Sequence, residues 1–520
     1  MTWEPELEEL RRREALAAAM GGEESVARQR SRGKLTVRDR IALLVDEGSW
    51  RETGQIAGRG VYGDDGALTD FSPTNFVVGQ ARVDGRPVVV QGDDFTVRGG
   101  AADASIWEKF VWPERAANEL RLPLVRLVDG TGGGGSVKSL EEMGFSYVPP
   151  LPGGDLWVDN LAKVPVVAAA LGPCAGLGAA RVVMSHFSVI VKQVGQLFVA
   201  GPPVVSWAMG EDLDKETLGG SRMQTKAGAV DNEAVDEEDA IAQLKRFLSY
   251  LPANVWDAPP RLATTDPADR REDELANIVP RDPRKTFRIR RVVELVFDAG
   301  SVFEVGARFG PSLVTALARL DGRPVGVLAS DSVHYGGSLT GDASDKLARF
   351  TDLCDQFHLP VVNLVDQPGF LVGRDSEAAG TIRRGARGLF AVNQATVPWC
   401  SILIRKCYGI AGAAHGNGAR LNLRYAWPSG NWGSLPIAGG LEAAFKRQLE
   451  AAEDPVAMRA EIEARLNAVL SPFRTAEHFS IEHIIDPRDT RRILCEWAER
   501  AHELVRYELA DGPKTRGPRP

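Results

Sequence analysis

Val83-Asp-Gly-Arg-Pro-Val88 recurs, with one conservative change, as Leu320-Asp-Gly-Arg-Pro-Val325, and this recurrence decides the fold. Gly85 and Gly322 stand 237 positions apart. The same spacing superposes Asp94 on Asp331, Gly99-Gly100 on Gly336-Gly337 and Lys109 on Lys346. It still holds where Leu122-Pro-Leu-Val-Arg-Leu-Val-Asp129 meets Leu359-Pro-Val-Val-Asn-Leu-Val-Asp366. After a slip of four it resumes at 233, pairing Val164-Pro165 with Val397-Pro398, Cys174 with Cys407 and Gly176 with Gly409. One register carried over so many identities marks an internal duplication. The repeated runs are short, apolar, punctuated by Gly and Pro, and separated by helix-length segments, so they read as buried strands with crossover helices. The expected fold class is α/β, with two related domains at residues 33–260 and 261–510. A charged helical segment at 1–32 precedes them and a flexible tail at 511–520 follows. The proline-rich polar stretch 252–286 reads as a linker.

Composition narrows the function. The 520 residues are 44% hydrophobic and 25% charged, an ordinary globular mixture. A net charge of -8 argues against a nucleic-acid partner, which would select a basic face. Five cysteines at irregular spacings make no disulfide framework and no zinc knuckle, which points to a reducing, cytoplasmic setting. The acidic N-terminus lacks the apolar core of a signal peptide, and the apolar runs are too short to span a membrane. Glycine is in excess, 54 residues or about 10% against the usual ~7%.

Two glycine-rich turns account for part of that excess. Gly172-Pro-Cys-Ala-Gly-Leu-Gly-Ala-Ala180 follows the strand-like run from Val164, and Arg405-Lys-Cys-Tyr-Gly-Ile-Ala-Gly-Ala-Ala-His415 repeats it in the second copy. A glycine turn between a strand and an Ala-rich helix presents free backbone N–H groups, which stabilise a phosphate or a developing oxyanion. Close helix–strand packing would also select small residues. The matched pair tips the reading toward two oxyanions. Gly130, Gly132 and Gly135 satisfy a dinucleotide fingerprint, but inside a run of glycines such a match carries little weight, and the second copy lacks it. Ala457-Met458-Arg459 has Arg where a biotin attachment site requires Lys, and no phosphate-binding loop for ATP and no serine-hydrolase elbow occur. The seven histidines show no ligand spacing; His415, inside the second turn, is the one with a chemical context.

These turns bring a resemblance into view. With Gly33-Lys-Leu-Thr-Val-Arg-Asp-Arg-Ile41, Asp94-Phe-Thr-Val-Arg-Gly-Gly100, Leu248-Ser-Tyr-Leu-Pro252, Asp342-Ala-Ser-Asp-Lys-Leu-Ala-Arg-Phe350, Val365-Asp-Gln-Pro-Gly-Phe370, Thr381-Ile-Arg-Arg-Gly-Ala386, Tyr425-Ala-Trp-Pro428 and Ile485-Asp-Pro-Arg-Asp-Thr-Arg491, the chain resembles the carboxyltransferase (β) subunits of biotin-dependent acyl-CoA carboxylases, the propionyl-CoA and methylcrotonyl-CoA carboxylase family. The resemblance implies two tandem crotonase-like domains (the ClpP/crotonase superfamily) and a dimer-built homohexamer. It implies acyl-CoA on the first domain and carboxybiotin on the second, the biotin being carried by a biotin carboxylase/biotin carrier (α) subunit. The thioester enolate and the biotin urea would each be held by backbone donors, with no protein base.

Carried over by position, the acyl-CoA hole falls on Gly176, Leu177 and Gly178, and the biotin hole on Gly409, Ile410 and Ala411. Phe95, Gly99, Gly100, Gly132, Gly133 and Lys138 would line the CoA side. Asp366, Pro368, Gly369, Phe370, Arg383 and Gly385 would line the biotin side. The chain departs from the family at Thr131-Gly-Gly-Gly-Gly-Ser-Val137, where the CoA-side Arg is missing and Lys138 is the substitute. It departs again at Gly409-Ile-Ala-Gly-Ala413, where a Tyr and an Asp are lost and Gly412 and Ala413 would leave room for an unusual acyl group. Decarboxylation or transcarboxylation on the same fold is the alternative activity. A non-catalytic subunit of a carboxylase complex is the alternative class.

Overall fold

In the computed structural model the described residues are 2–101, 105–130, 140–141, 143–418, 420–421 and 423–512. They form two compact units that divide between Asp257 and Ala258. Each is built on a mixed sheet, seven-stranded in the first unit and eight-stranded in the second, whose main-path strands lie in chain order.

In the first unit the sheet runs β1 (Arg51–Thr53), β2 (Phe76–Val83), β3 (Arg86–Asp93), β4 (Leu124–Val128), β5 (Val166–Ala170), β6 (Phe187–Val191) and β7 (Asn232–Ala234). The first two pairings are antiparallel and the rest parallel. Strands β4 to β6 are buried at every residue, which is why they read as unbroken apolar runs without alternation.

The second unit repeats this with β8 (Phe303–Glu304), β9 (Leu313–Leu320), β10 (Arg323–Ser330), β11 (Val361–Gln367), β12 (Trp399–Tyr408), β13 (Leu423–Ala426), β14 (Asn431–Gly433) and β15 (His483–Ile484). Here β14 pairs with the far end of β12, off the main path. The registers reproduce the sequence offsets. Val83 faces Arg86 as Leu320 faces Arg323, and Leu124 faces Val166 as Val361 faces Trp399.

The duplication also extends further upstream than the sequence comparison reached, at a third spacing of 252. The helix Val37–Leu44 matches Ile289–Val296, and β1 matches β8. Ion pairs are duplicated with it: Arg38–Glu52 at 2.8 Å recurs as Arg290–Glu304 at 2.7 Å. So are turn contacts. Asp46 accepts from the N–H groups of Asp84 and Gly85, and Asp298 accepts from those of Asp321 and Gly322. Both Asp-Gly pairs have positive φ at both residues, the hairpin geometry that suits strand twist.

Two expectations are corrected. The N-terminal segment is two helices, Glu4–Ala18 and Glu23–Ser31, broken at Gly21-Gly22. A Cβ on Gly21 would lie 2.1 Å from the Thr96 carbonyl oxygen, and the Gly21 N–H donates to Thr96 Oγ1 at 2.9 Å. The close approach to that loop is what breaks the helix. The stretch 252–286 is not a free linker. Its start is tied to the first unit, with Val255 N–H on Lys163 O and Arg121 4.0 Å over the Trp256 ring. Its remainder straps the second unit. Arg270 caps the carbonyls of Leu295 and Phe297, and Arg491 reaches Asp266 O and Pro267 O. Arg270 and Asp266 thus satisfy backbone groups of the second unit, Asp266 also accepting from the Ala299 N–H. Among the described residues no helix is long and apolar enough to cross a membrane. Of the tail at 511–520, residues 513–520 lie outside the described residues.

Candidate functional site

In the first unit β5 leads into the short strand Pro173–Ala175, which pairs in parallel with Gln196–Phe198. The chain then turns at Gly176, φ +54°, into the helix Leu177–Val183. The Gly176 N–H is taken by Phe198 O at 3.3 Å, and Leu177 and Gly178 occupy the first turn, where a helix has no internal acceptor for its N–H groups. Three chain segments close on this turn. A Cβ on Gly178 would lie 2.7 Å from Gly130 O, and one on Gly100 would lie 2.7 Å from Asp129 O and 2.8 Å from Gly130 Cα. Gly99 is left-handed (φ +63°) beside the Phe95 ring. Phe95, Gly99 and Gly100 thus gather around Gly176–Gly178. Gly132, Gly133 and Lys138 lie outside the described residues.

Beneath this turn lies an ion network that the motif reading missed. Asp129, fully buried at the end of β4, receives Lys34 Nζ at 2.7 Å and Arg40 Nη1 at 2.8 Å. Arg40 also grips Glu237 through Nε and Nη2 and donates to Leu171 O at 3.1 Å. Asp93 accepts from the Asp129 N–H at 3.1 Å and is paired with Arg181 at 2.9 Å. Three cations meet three carboxylates, so the network is neutral. Burial pushes Lys34 down, against Asp129, which holds its proton on. Burial would lower Arg40 too, but Asp129 and Glu237 more than reverse it. Burial raises Asp93, partly offset by Arg181. The signal was present in Lys34 and Arg40 of the Gly33–Ile41 motif, but nothing local names their partner about ninety positions on.

In the second unit the corresponding carboxylate, Asp366 at the end of β11, is also fully buried. Its counter-ion is Arg405, through Nε–Oδ1 at 3.1 Å and Nη2–Oδ2 at 2.7 Å, and the Lys406 N–H adds a third bond at 3.0 Å. Gly337 packs on Asp366 O as Gly100 does on Asp129 O, 2.7 Å from its would-be Cβ in each case. β12 then turns at Gly409, φ +61°, into the helix Gly409–Ala413, with Ile410 61% exposed and Ala411 buried.

The other biotin-side residues lie as follows. Gly369 sits at φ +129°, with its N–H on Gln367 Oε1 and its carbonyl taken by the Leu339 N–H. The Phe370 ring fills the space above Gly385, 2.4 Å from its would-be Cβ. Pro368 approaches Gly337, while the Arg383 side chain is exposed. Gly412 faces inward, its would-be Cβ 2.9 Å from Cys407 C, and Ala413 is exposed. His415 is held by its Gly412 contact (Nδ1 to O, 2.8 Å), and burial lowers its pKa, so the ring stays neutral. Its carbonyl collects Asn363, Trp399 and Ser401. It braces the turn.

Two neutral strand–turn–helix donors, each above a compensated buried aspartate, can stabilise oxyanions without a charged side chain. Among the described residues no cluster could hold a metal ion. The comparisons agree with this geometry. The carboxyl transferase domain matches residues 28–509. The chain is 36% identical to the propionyl-CoA carboxylase carboxyltransferase subunit of Haloferax mediterranei, covering 95% of each. It is 35% identical to the methylmalonyl-CoA carboxyltransferase 12S subunit of Propionibacterium freudenreichii subsp. shermanii, covering 94% and 93%. A crystal structure of transcarboxylase 12S, described as a hexamer assembly with methylmalonyl-CoA and methylmalonic acid bound, superposes with a TM-score of 0.86 at 33% identity, over 100% of this chain and 97% of that one. The expected pair of crotonase-like domains is therefore the fold, and the chain belongs to the carboxyl transferase domain family.

Proposed function

We propose that this chain is the carboxyltransferase subunit of a biotin-dependent acyl-CoA carboxylase, acting in the cytoplasm as a homo-oligomer with a biotin-carrying partner. The observation that carries the reading is the matched pair of donor turns at Gly176 and Gly409, each with positive φ and each opening a helix directly after a strand. The first unit would take the acyl-CoA. The N–H groups of Leu177 and Gly178 hold the thioester oxygen and gain most as it becomes an enolate oxygen, where preorganised donors are worth about 3–4 kcal/mol each. Phe95, Gly99 and Gly100 line that side, joined by Gly132, Gly133 and Lys138. The buried network of Lys34, Arg40 and Asp129 holds the turn rigid.

The second unit would take the biotin. Gly409, Ile410 and Ala411 fit a neutral urea oxygen, since they offer main-chain N–H groups beside an exposed Ile410. Asp366, Pro368, Gly369, Phe370, Arg383 and Gly385 line the approach. Bound there, carboxybiotin supplies the carboxyl group. Ile410 in place of a glycine keeps the donor, because only the N–H is used. Ala413, exposed at the end of the turn, faces the substrate, while Gly412 keeps the turn packed on Cys407.

The test is reconstitution with a cognate biotin carboxylase/carrier subunit, ATP, bicarbonate and a panel of acyl-CoAs. ATP-dependent carboxylation of at least one acyl-CoA is expected, and its absence across the panel with a folded oligomer overturns the reading. The reverse activity is the second reading, because identity to the transcarboxylase subunit, 35%, lies within a point of the 36% and 35% to two carboxylase subunits. It predicts faster carboxylation of free biotin from methylmalonyl-CoA than the forward reaction.

A further inference from the structure

The helix Leu177–Val183, which carries the acyl-side donors, is only seven residues long. A helix so short does not hold itself together in water, so its aim is set by whatever grips it. Its last carbonyls, left without partners by the helix itself, are taken by Arg126. This side chain, buried on β4, donates through Nη1 to Arg181 O at 3.1 Å and to Met184 O at 2.7 Å. Its other edge, Nε and Nη2, lies on Glu114 Oε1 at 3.0 and 2.7 Å. Glu114 is buried on the helix Trp107–Leu120, and its Oε2 accepts from Asn160 Nδ2 at 2.9 Å. The second unit reaches its donor helix from the same place. Asn363, on β11, stands 237 positions after Arg126, and its Nδ2 donates to His415 O at 3.0 Å, just past the helix Gly409–Ala413. The two side chains differ in charge and length, yet they share a strand position and end on the same part of the helix. A buried ion pair gives no more stability than an apolar pair of like volume. What Arg126 and Glu114 add is a fixed direction for the helix.

We propose that Arg126, held by Glu114, is a positioning residue of the acyl-side donor turn: it clamps the C-terminal end of the helix Leu177–Val183 and so aims the Leu177 and Gly178 N–H groups. The inference rests on the reading of the Gly176 turn as the acyl-CoA oxyanion hole. Arg126 touches no reacting atom and acts through the helix alone. A displacement of about 1 Å at such donors is enough to cost about 100-fold in rate.

The test uses the full chain with its cognate biotin-carrying subunit. Arg126→Met together with Glu114→Gln removes both charges and strands no carboxylate, so urea unfolding should stay close to that of the natural chain. In this variant kcat for ATP-dependent carboxylation should fall about tenfold or more, with KM for the acyl-CoA within about twofold, because misaimed donors are missed most by the enolate. Hydrogen exchange at the Ala180 and Met184 amides, which are bonded within this helix, should quicken at least about tenfold. Exchange at Ala169 and Val189, paired across β5 and β6, should not change. Arg126→Lys keeps the charge beside Glu114 but loses the fork, so it should lower kcat about threefold or more, and it serves if the double variant fails to fold. Unreduced kcat in the folded variants, a loss that lies in KM, or unchanged exchange at Ala180 and Met184 overturns the proposal. If the natural chain carboxylates no acyl-CoA, the carboxyl-transfer reading fails, and the exchange result still upholds or overturns Arg126 as the residue that positions the turn.

Discussion

The guanidinium of Arg405 is paired through two bonds, 3.1 and 2.7 Å, with the carboxylate of Asp366, and both side chains are buried. At the equivalent position of the first unit stands Gly172. A Cβ there would lie 1.9 Å from Asp129 Oδ1 and 2.7 Å from Lys34 Nζ. The two units thus neutralise the same aspartate by different routes, one from within the strand and one from the N-terminal segment. Removing Arg405 alone should be costly. Arg405→Leu is expected to destabilise the second unit by about 3–5 kcal/mol, since a buried carboxylate is left unpaired, and Arg405→Leu with Asp366→Leu should recover much of the loss. Denaturant unfolding of the single and double variants checks this; equal losses would mean that the pair is not the stabilising element.

The acyl-side turn leaves no room at Gly178, whose would-be Cβ lies 2.7 Å from Gly130 O. Gly178→Ala should displace the donor turn and lower kcat/KM at least about tenfold while the oligomer persists. Gly439→Ala, where a Cβ meets nothing within 4 Å, is the control and should leave both unchanged.

Ile410 contributes a main-chain donor and an exposed side chain. Ile410→Pro, in the first turn where proline suits a helix, deletes the N–H and should lower kcat about 100- to 1,000-fold. Ile410→Gly should keep most of the activity. A fully active Ile410→Pro oligomer would favour a structural role for this subunit.

His502 reports on pH. It is buried on the helix Thr490–Ala510, with Nε2 2.9 Å from Pro324 O, and burial lowers its pKa to about 4. The unfolded chain, near 6.5, binds the proton first as pH falls, so this contribution is complete above about pH 6.5 and is lost progressively down to about pH 4. The loss is on the order of 3 kcal/mol. His502→Gln, which cannot titrate, should flatten the acid limb of the urea-unfolding midpoint between those values; an unchanged limb would sink the assignment.

Much of the architecture was readable in the chain because sheet register is a local, periodic property. Spacings of 237 and 233 between identical residues became the pairings Leu320↔Arg323 and Val361↔Trp399, and the two glycine turns fell where strands end. The Asp84-Gly85 and Asp321-Gly322 hairpins were legible as well, through the turn chemistry of that dipeptide. The third spacing of 252 was present in the chain as well, in Asp46-Glu-Gly-Ser49 against Asp298-Ala-Gly-Ser301 and Glu52 against Glu304, but so short a run stands out only once the helices and strands on either side of it are seen to pair.

By itself the sequence determined a duplicated α/β chain with two backbone donor turns, since strand burial, glycine φ and turn chemistry act between residues close along the chain. Only the tertiary structure decided what holds those turns in place. Lys34 and Arg40 reach Asp129, and the strap arginine Arg270 reaches Leu295 and Phe297, because buried charges and orphan carbonyls take whichever partner the packed fold brings near. Such pairings leave no period in the sequence.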